Sequence, residues 1–473
     1  MDRLRALDAE FLHLENGVAP MHIAGVCVFE GPAPSIEDFI ALIAGKLHLI
    51  PRYRQRVRKV PLELGRPVWV DDPHFNIGYH VRHTALPPPG DDAALCRLMG
   101  RLMSQPLDLN RPLWETWMVE GMPDGQWALI FKVHHCMVDG ISGVDLLTVA
   151  LDIDRQTEPL EPEPWTPSPE PSWPALVLDA WSGLAGDLAN VAGRLPGAAR
   201  APLGALRSAW HNVEGVLTFG RKLATTPPLS IEGTIGPHRV WAHSQASLDD
   251  VRTIRGAFGG TVNDVVLAAC AGGYRVLLQH RGEDPDDAVV RSLVPVSLRT
   301  PDAHGEFDNR VSAMLYELPV QVADPVDRLR LVHREMADLK QSHMAEAGEL
   351  ATTAGDLAPP MVVGMVTRAA MRVLQRLPQR SVNTVTTNVP GPQFPLYCLG
   401  REMLSYYPYV PVSIGVRVGT AILSYNGQLA FGVTGDFDTA PDVDVLARAI
   451  ADGITELVDR TTTTIDLVEV DKD

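Results

Sequence analysis

Apolar and polar positions follow two rhythms along this chain, and the switches between them mark its elements. Behind Ser35, a helix-capping residue type, Ile36, Phe39, Ile40, Ile43 and Leu47 recur at a helical period with Asp38 in the first turn. Phe75, Ile77, Tyr79 and Val81 alternate instead, which predicts a strand. Trp127 to Val133 is a short run of apolar, β-branched and aromatic residues, the pattern of a buried strand, and Ile141 to Ile153 reads as an apolar helix after it.

The second half restarts the same mixture. Asn263-Asp264 opens a helix from Val265 to Leu278 that is apolar nearly all round and therefore buried. Leu293 to Leu298 reads as a strand. Asp324 and Pro325 begin a further helix as N-cap and first residue, with Leu329, Val332, Met336 and Leu339 as its apolar stripe. Ala421 to Phe431 is a hairpin turning on Asn426-Gly427 in type I′ form, and a last helix carries Val443, Leu446, Ile450 and Leu457. The fold class is α/β, in the mixed α+β sense.

A break in composition separates the halves. After Asp154 come Pro159, Pro162, Pro164, Pro167, Pro169, Pro171 and Pro174 with glutamates between them, which favours an extended, semi-rigid connector. The expected domains are 1–154, a connector and helical crossover over 155–228, and 229–473. Within the crossover, Ala175 to Leu223 is rich in Ala, Leu and Gly and bears Trp181 and Trp210; it suits broken helices laid over the domain junction or against a lipid surface.

Composition and charge narrow the function. With 473 residues, 45% of them hydrophobic and 21% charged, the chain has the make-up of a globular protein long enough for two cores. A formal charge of −17 argues against nucleic acid, whose phosphates would repel it. Cys27, Cys96, Cys136, Cys270 and Cys398 are scattered and odd in number, which favours a reduced, cytoplasmic setting. No run reaches the roughly 18 to 20 apolar residues of a membrane span, and the N-terminus lacks a signal-peptide core, so membrane contact is expected to be peripheral.

The candidate chemistry sits at the end of the buried strand, in His134-His135-Cys136-Met137-Val138-Asp139-Gly140. An imidazole, with an ordinary pKa of about 6.5, accepts a proton near neutrality, and an Asp four residues on can fix the backbone around it. The plainer alternative is a strand end with two satisfied imidazoles and an Asp capping the next turn. No metal is expected, because adjacent strand residues point to opposite faces and no nearby Cys or His completes a ligand set. Two basic stretches stand out. Arg52, Arg54, Arg56 and Arg58 would share one face of an extended segment, solvated in the plainest reading, and Arg368, Arg372, Arg376 and Arg380 recur at helical spacing, with Pro378 expected to end the helix before Arg380.

The heptad resembles the active-site motif of the acyl-CoA-dependent acyltransferase superfamily, and in particular of the bacterial wax ester synthase/diacylglycerol acyltransferase family. Pro112-Leu113-Trp114 resembles that family's Pro-Leu-Trp motif, and Asn263-Asp264 its Asn-Asp motif. Pro20-Met21-His22, Val294 to Arg299 and Thr387 to Pro392 are also similar, so the likeness spans nearly the whole chain. Asn76 and Asn110 stand where an acidic residue is expected, Cys136 where a small one is common, and residues 229–239 follow the family's loop only loosely.

The resemblance implies two chloramphenicol-acetyltransferase-like domains with a tunnel at their junction and His135 near its middle. It further implies His135 as general base, His134 shaping the site, and Asp139 tied to a distant arginine, with Arg54 the first candidate and Arg299 the second. Gly140, Asn263, Asp264, Pro112, Leu113 and Trp114 would complete or shape the site, and Asn263, Ser297 or backbone N–H groups near Gly140 would meet the oxyanion. The substrates implied are a long-chain acyl-CoA and diacylglycerol or a fatty alcohol, with no cofactor, at a membrane or lipid-droplet surface. Arg368, Arg372 and Arg376 would then be a solvated face, a dock for coenzyme A phosphates or a foothold on anionic lipid. Two alternatives differ in class: a related enzyme with another hydroxyl or amine acceptor, and a catalytically silent lipid binder.

Overall fold

The structure is a computed structural model and describes residues 2–61, 64–137, 150–156, 160–182, 228–297, 311–350, 382–413 and 415–470. Its strands are β1 (His22–Phe29), β2 (Gln55–Arg58), β3 (Val68–Asp71), β4 (Val81–Ala85), β5 (Trp114–Glu120), β6 (Trp127–His134), β7 (Glu232–Gly233), β8 (Arg239–Ser247), β9 (Val290–Ser297), β10 (Val311–Leu318), β11 (Thr384–Pro390), β12 (Tyr397–Cys398), β13 (Arg401–Tyr409), β14 (Gly415–Val416), β15 (Val418–Tyr425) and β16 (Gln428–Asp436). The helices used below are α1 (Ala6–Leu14), α2 (Ile36–Lys46), α3 (Ile77–His80), α4 (Asp92–Met103), α5 (173–182), α6 (Leu248–Phe258), α7 (Val262–His280), α8 (Pro325–Leu350) and α9 (Val443–Val470).

Two six-stranded sheets frame the molecule, in the orders β12-β13-β1-β6-β5-β4 and β10-β9-β11-β15-β16-β8. In the first, β6 is buried along its whole length. Trp127, Leu129, Phe131 and Val133 face a cluster with Phe39, Leu42 and Ile43 of α2, and Ala128 and Ile130 face Leu95, Leu98, Met99 and Leu102 of α4. A strand covered on both faces needs no polar alternation, which is why its sequence reads as a continuous apolar run. The exception is Lys132, which lies on the α4 side and donates to the carbonyls of Leu102 in the last turn of that helix and of Gln105 just beyond it.

The second sheet is closed over by α7 and α9, whose Val265, Leu277, Leu446 and Ile450 belong to one large core with Leu429, Phe431 and Val433. Helix α7 opens with a capping box in which Thr261 and Asp264 each take the other's backbone N–H. The hairpin between β15 and β16 turns where expected, with Asn426 and Gly427 both at positive φ (42° and 80°) as a type I′ turn requires. Among the described residues no single helix is long and apolar enough to cross a membrane.

Two stretches need correction. The alternation from Phe75 to Val81 is not one strand, because Asn76 accepts the N–H of Gly78 and starts the short helix α3, and β4 begins only at Val81. The arginines at 52 to 58 do not share one extended face, since Pro51 starts a 3₁₀ turn through Arg54 and only Gln55–Arg58 is a strand. Nor are they simply solvated, for the Pro-rich connector lies across them: Arg54 stacks on Trp165, the N–H of Ser168 donates to Asp71, and Arg56 and Arg58 share Glu170. The second half of the chain also supplies β12 and β13, which complete the first sheet by pairing β13 with β1.

Candidate active site

Three motif stretches meet where the first sheet ends. In register, His22 lies opposite His134 across β1 and β6, and Trp114 opposite Val133 across β5 and β6. The His134 N–H donates to the carbonyl of Leu113, and the His135 N–H to that of Met21, both at 2.9 Å. Pro20–His22 and Pro112–Trp114 therefore fix, through backbone bonds alone, the point at which β6 gives way to the 3₁₀ turn His135–Met137.

The two histidines have different fates there. His134 is fully buried; its Nδ1 accepts the Cys136 N–H at 3.1 Å, which leaves Nε2 to donate to Glu15 Oε2 at 3.0 Å. Both ring nitrogens are committed, so His134 braces the turn. His135 instead lies face to face with Phe11 of α1, ring centroids 3.8 Å apart, and its buried Nδ1 has no partner among the described residues. Burial pushes the His135 pKa down to about 4, with the neighbouring His134 acting in the same direction. At neutral pH this imidazole is uncharged and keeps a lone pair with which to take a proton.

The surroundings are dry. Cys136 packs with Leu4, Leu12, Trp69, Leu107 and Leu113, and burial pushes its thiol far up, so it is inert packing. Trp114 donates its indole N–H to the carbonyl of Tyr53 at 2.8 Å, and its own carbonyl lies 2.8 Å from His80 Nδ1. The His80 ring stacks on Trp114, Phe75 on His80, and Trp165 of the connector meets Phe75 edge-on, so an aromatic ladder runs from the connector to the start of β5, beside the His134 end of β6.

A second motif cluster lies at the start of α7. Asn263 Oδ1 accepts from Asn388 Nδ2 at 3.3 Å, which brings the Asn-Asp and Thr387–Pro392 stretches together. Asp264 is almost wholly buried; beyond its capping role it meets His333 Nδ1 at 2.9 Å. Oδ2 carries both of these bonds, while the buried Oδ1 has no partner among the described residues. Among the described residues no hydrogen bond joins this cluster to the His135 turn.

Asp139, Gly140, Arg299, Arg368, Arg372 and Arg376 lie outside the described residues, as does the expected helix from Ile141 over most of its length. Of the pair expected for Asp139, Arg54 is described: its guanidinium sits 4.7 Å from the Trp165 ring, near Asp71 and Glu163. No group of His, Cys, Asp and Glu that could hold a metal ion occurs among the described residues. Phe11 and Glu15 escape the motif reading. Their only local signal is an acidic residue closing an apolar helix, and the pairing of Glu15 with His134 spans 119 positions.

Comparison with known proteins agrees with this architecture. Residues 4–266 match the model of the wax ester synthase/diacylglycerol acyltransferase catalytic domain, and residues 307–458 that of the C-terminal domain of the same proteins. A probable diacylglycerol O-acyltransferase of Mycobacterium tuberculosis is 38% identical over 97% of this chain and 96% of its own. The solved wax ester synthase/diacylglycerol acyltransferase of Marinobacter aquaeolei is similar with a TM-score of 0.69 at 26% identity, over 97% of this chain and all of that one. A trichothecene 15-O-acetyltransferase of Fusarium sporotrichioides shares the fold, with a TM-score of 0.58 at 12% identity over 96% and 94% of the two chains.

Proposed function

Because the chain belongs to the wax ester synthase/diacylglycerol acyltransferase family, whose members make triacylglycerol or wax esters by acyl transfer, we propose that His135 is the general base of an acyl-CoA-dependent O-acyltransferase. The observation that carries this is the uncharged imidazole of His135, whose buried Nδ1 has no partner among the described residues, stacked on Phe11 in a turn that backbone bonds to Met21 and Leu113 hold while His134 is consumed in bracing it. His135 takes the proton of the acceptor hydroxyl, and the oxygen attacks the thioester carbonyl. The tetrahedral adduct collapses with loss of the coenzyme A thiolate, and the imidazolium returns the proton to sulfur. Both substrates reach His135 through a tunnel between the two halves, and no cofactor takes part.

Diacylglycerol is the acceptor we favour. The relative at 38% identity carries the name probable diacylglycerol O-acyltransferase, and the solved protein at 26% carries diacylglycerol acyltransferase beside wax ester synthase in its name. Such an acceptor is insoluble in water, so the enzyme works at a lipid surface, bound peripherally from the cytoplasm; the free thiols of all five cysteines fit a reducing setting. The test is coenzyme A release from palmitoyl-CoA with diacylglycerol, with hexadecanol or without acceptor. Acceptor-dependent release should fall by about 10²- to 10⁴-fold in His135→Ala. Equal release from the folded variant and the wild type would sink the assignment, and a preference for hexadecanol would move the acceptor to wax chemistry.

A further inference from the structure

Helix α5 stands out because it turns apolar residues both ways. Leu176 and Ala180 point inward onto Val60, Val68 and Val70, and Asp179 is tied down by Arg3 at 2.6 Å. The other side carries Trp173, Leu178 and Trp181, which are 66%, 70% and 58% exposed. At about 100° per residue these three, with Pro174 and Val177 between them, sweep an arc of roughly 140° that holds no charged side chain. An outward helix face of this composition is costly in water.

Two cations stand close in sequence to the residues that pack on α5, in a chain whose formal charge is −17. The described residues on either side of positions 62 and 63 reach α5, Val60 packing into the same cluster and Gly65 closing on Ala180. They bring exposed Lys59 and half-buried Arg66, neither of which has an ionic partner among the described residues. Tryptophan, with an apolar ring and one N–H, is the side chain that settles where hydrocarbon meets headgroups, and neighbouring cations favour anionic headgroups. The face also adjoins the chemistry: Val68 and Val70 of β3 pack on α5, while Trp69 between them packs in the cluster that holds Cys136 of the catalytic turn.

We propose that α5 is the docking face for an anionic lipid surface. Trp173, Leu178 and Trp181 enter the boundary between headgroups and acyl chains, and Lys59 and Arg66 face the phosphates. This rests on the reading of the acceptor as a water-insoluble lipid and names the surface by which the enzyme reaches it.

The experiment is flotation of the full chain with vesicles of phosphatidylcholine, with and without phosphatidylglycerol. Binding of the wild type, strengthened by phosphatidylglycerol, should weaken by about a hundred-fold in the triple variant Trp173→Ser, Leu178→Ser, Trp181→Ser. In Lys59→Gln, Arg66→Gln, the gain from phosphatidylglycerol should shrink by about ten-fold. Coenzyme A release with detergent-dispersed diacylglycerol should be unchanged in both variants, while release with diacylglycerol held in vesicles should fall with binding. Wild-type protein that stays off both vesicles, or a triple variant that floats like the wild type, would overturn the proposal. Loss of release with dispersed diacylglycerol in the wild type itself would strike instead at the acceptor assignment.

Discussion

Phe11 lies flat against the imidazole of His135, with 3.8 Å between ring centroids and 20° between ring planes. The contact fixes the ring and shields it from water. Phe11→Ala should lower kcat by about ten-fold, the worth of one well-placed aromatic pair, with KM little changed. The same substitution should raise the His135 pKa towards its ordinary value, because water then reaches the imidazolium. Steady-state kinetics and a histidine titration followed by NMR read the two effects separately; a variant with unchanged kcat would show that the ring is held by other groups.

Acid should weaken the fold before any carboxylate is protonated. The His135 pKa is depressed from about 6.5 to about 4 by burial, so its contribution is complete above about pH 6.5 and is lost as pH falls towards 4. Buried His22 is also pushed well below its ordinary value and acts with the same sign. From His135 alone, unfolding free energy should be about 2 kcal/mol lower near pH 5 than near pH 7.5. Urea titrations at the two values measure this, and the difference should shrink in His135→Leu.

Glu15 anchors His134 across a 3.0 Å contact between side chains that are both nearly buried. Glu15→Gln keeps the shape but not the charge, and the backbone turn that carries His135 should loosen. The expected result is a fall in kcat of about ten-fold or more with folding retained, since a charged hydrogen bond is worth roughly 1.5 to 3 kcal/mol. An unchanged kcat together with a lowered Tm would make the pair purely structural.

Asp264 should behave as a helix cap and not as a reacting acid. Asp264→Ala removes its bonds to the Thr261 N–H and to His333, and should cost about 1 to 3 kcal/mol of stability. Thr261→Ala, losing the other half of the capping box, should cost about 1 kcal/mol. Thermal unfolding measures both, and kcat per folded molecule should remain near wild type in each. A folded Asp264→Ala without activity would contradict this.

Elements whose signals are local were legible in the sequence. Ser35 caps α2, Asp324 caps α8, and Asn426-Gly427 turns its hairpin, because each signal is a side chain or backbone preference acting within four residues. The strand misread over Phe75 to Val81 fails for the same reason in reverse: Asn76 is itself a cap, and one capped turn outweighs an alternation of four apolar residues. That His134 and His135 would meet different surroundings was legible, because successive residues at a strand end face different ways. Phe11, Glu15 and the docking of the connector on the arginines were not, since each joins residues that only the folded chain brings together.

The pairing of β13 with β1 has a consequence for how the protein is made. During synthesis, β1 and its neighbour β6 emerge early, but the strand that covers the far side of β1 is not complete until residue 409 has left the ribosome. Until then the nascent first half carries an unpaired strand edge, the kind of surface that invites association with other chains. A truncated first half should therefore aggregate when expressed alone and be rescued when the missing strand is supplied beside it. The sheet whose end carries His134 and His135 is completed only when most of the polypeptide exists.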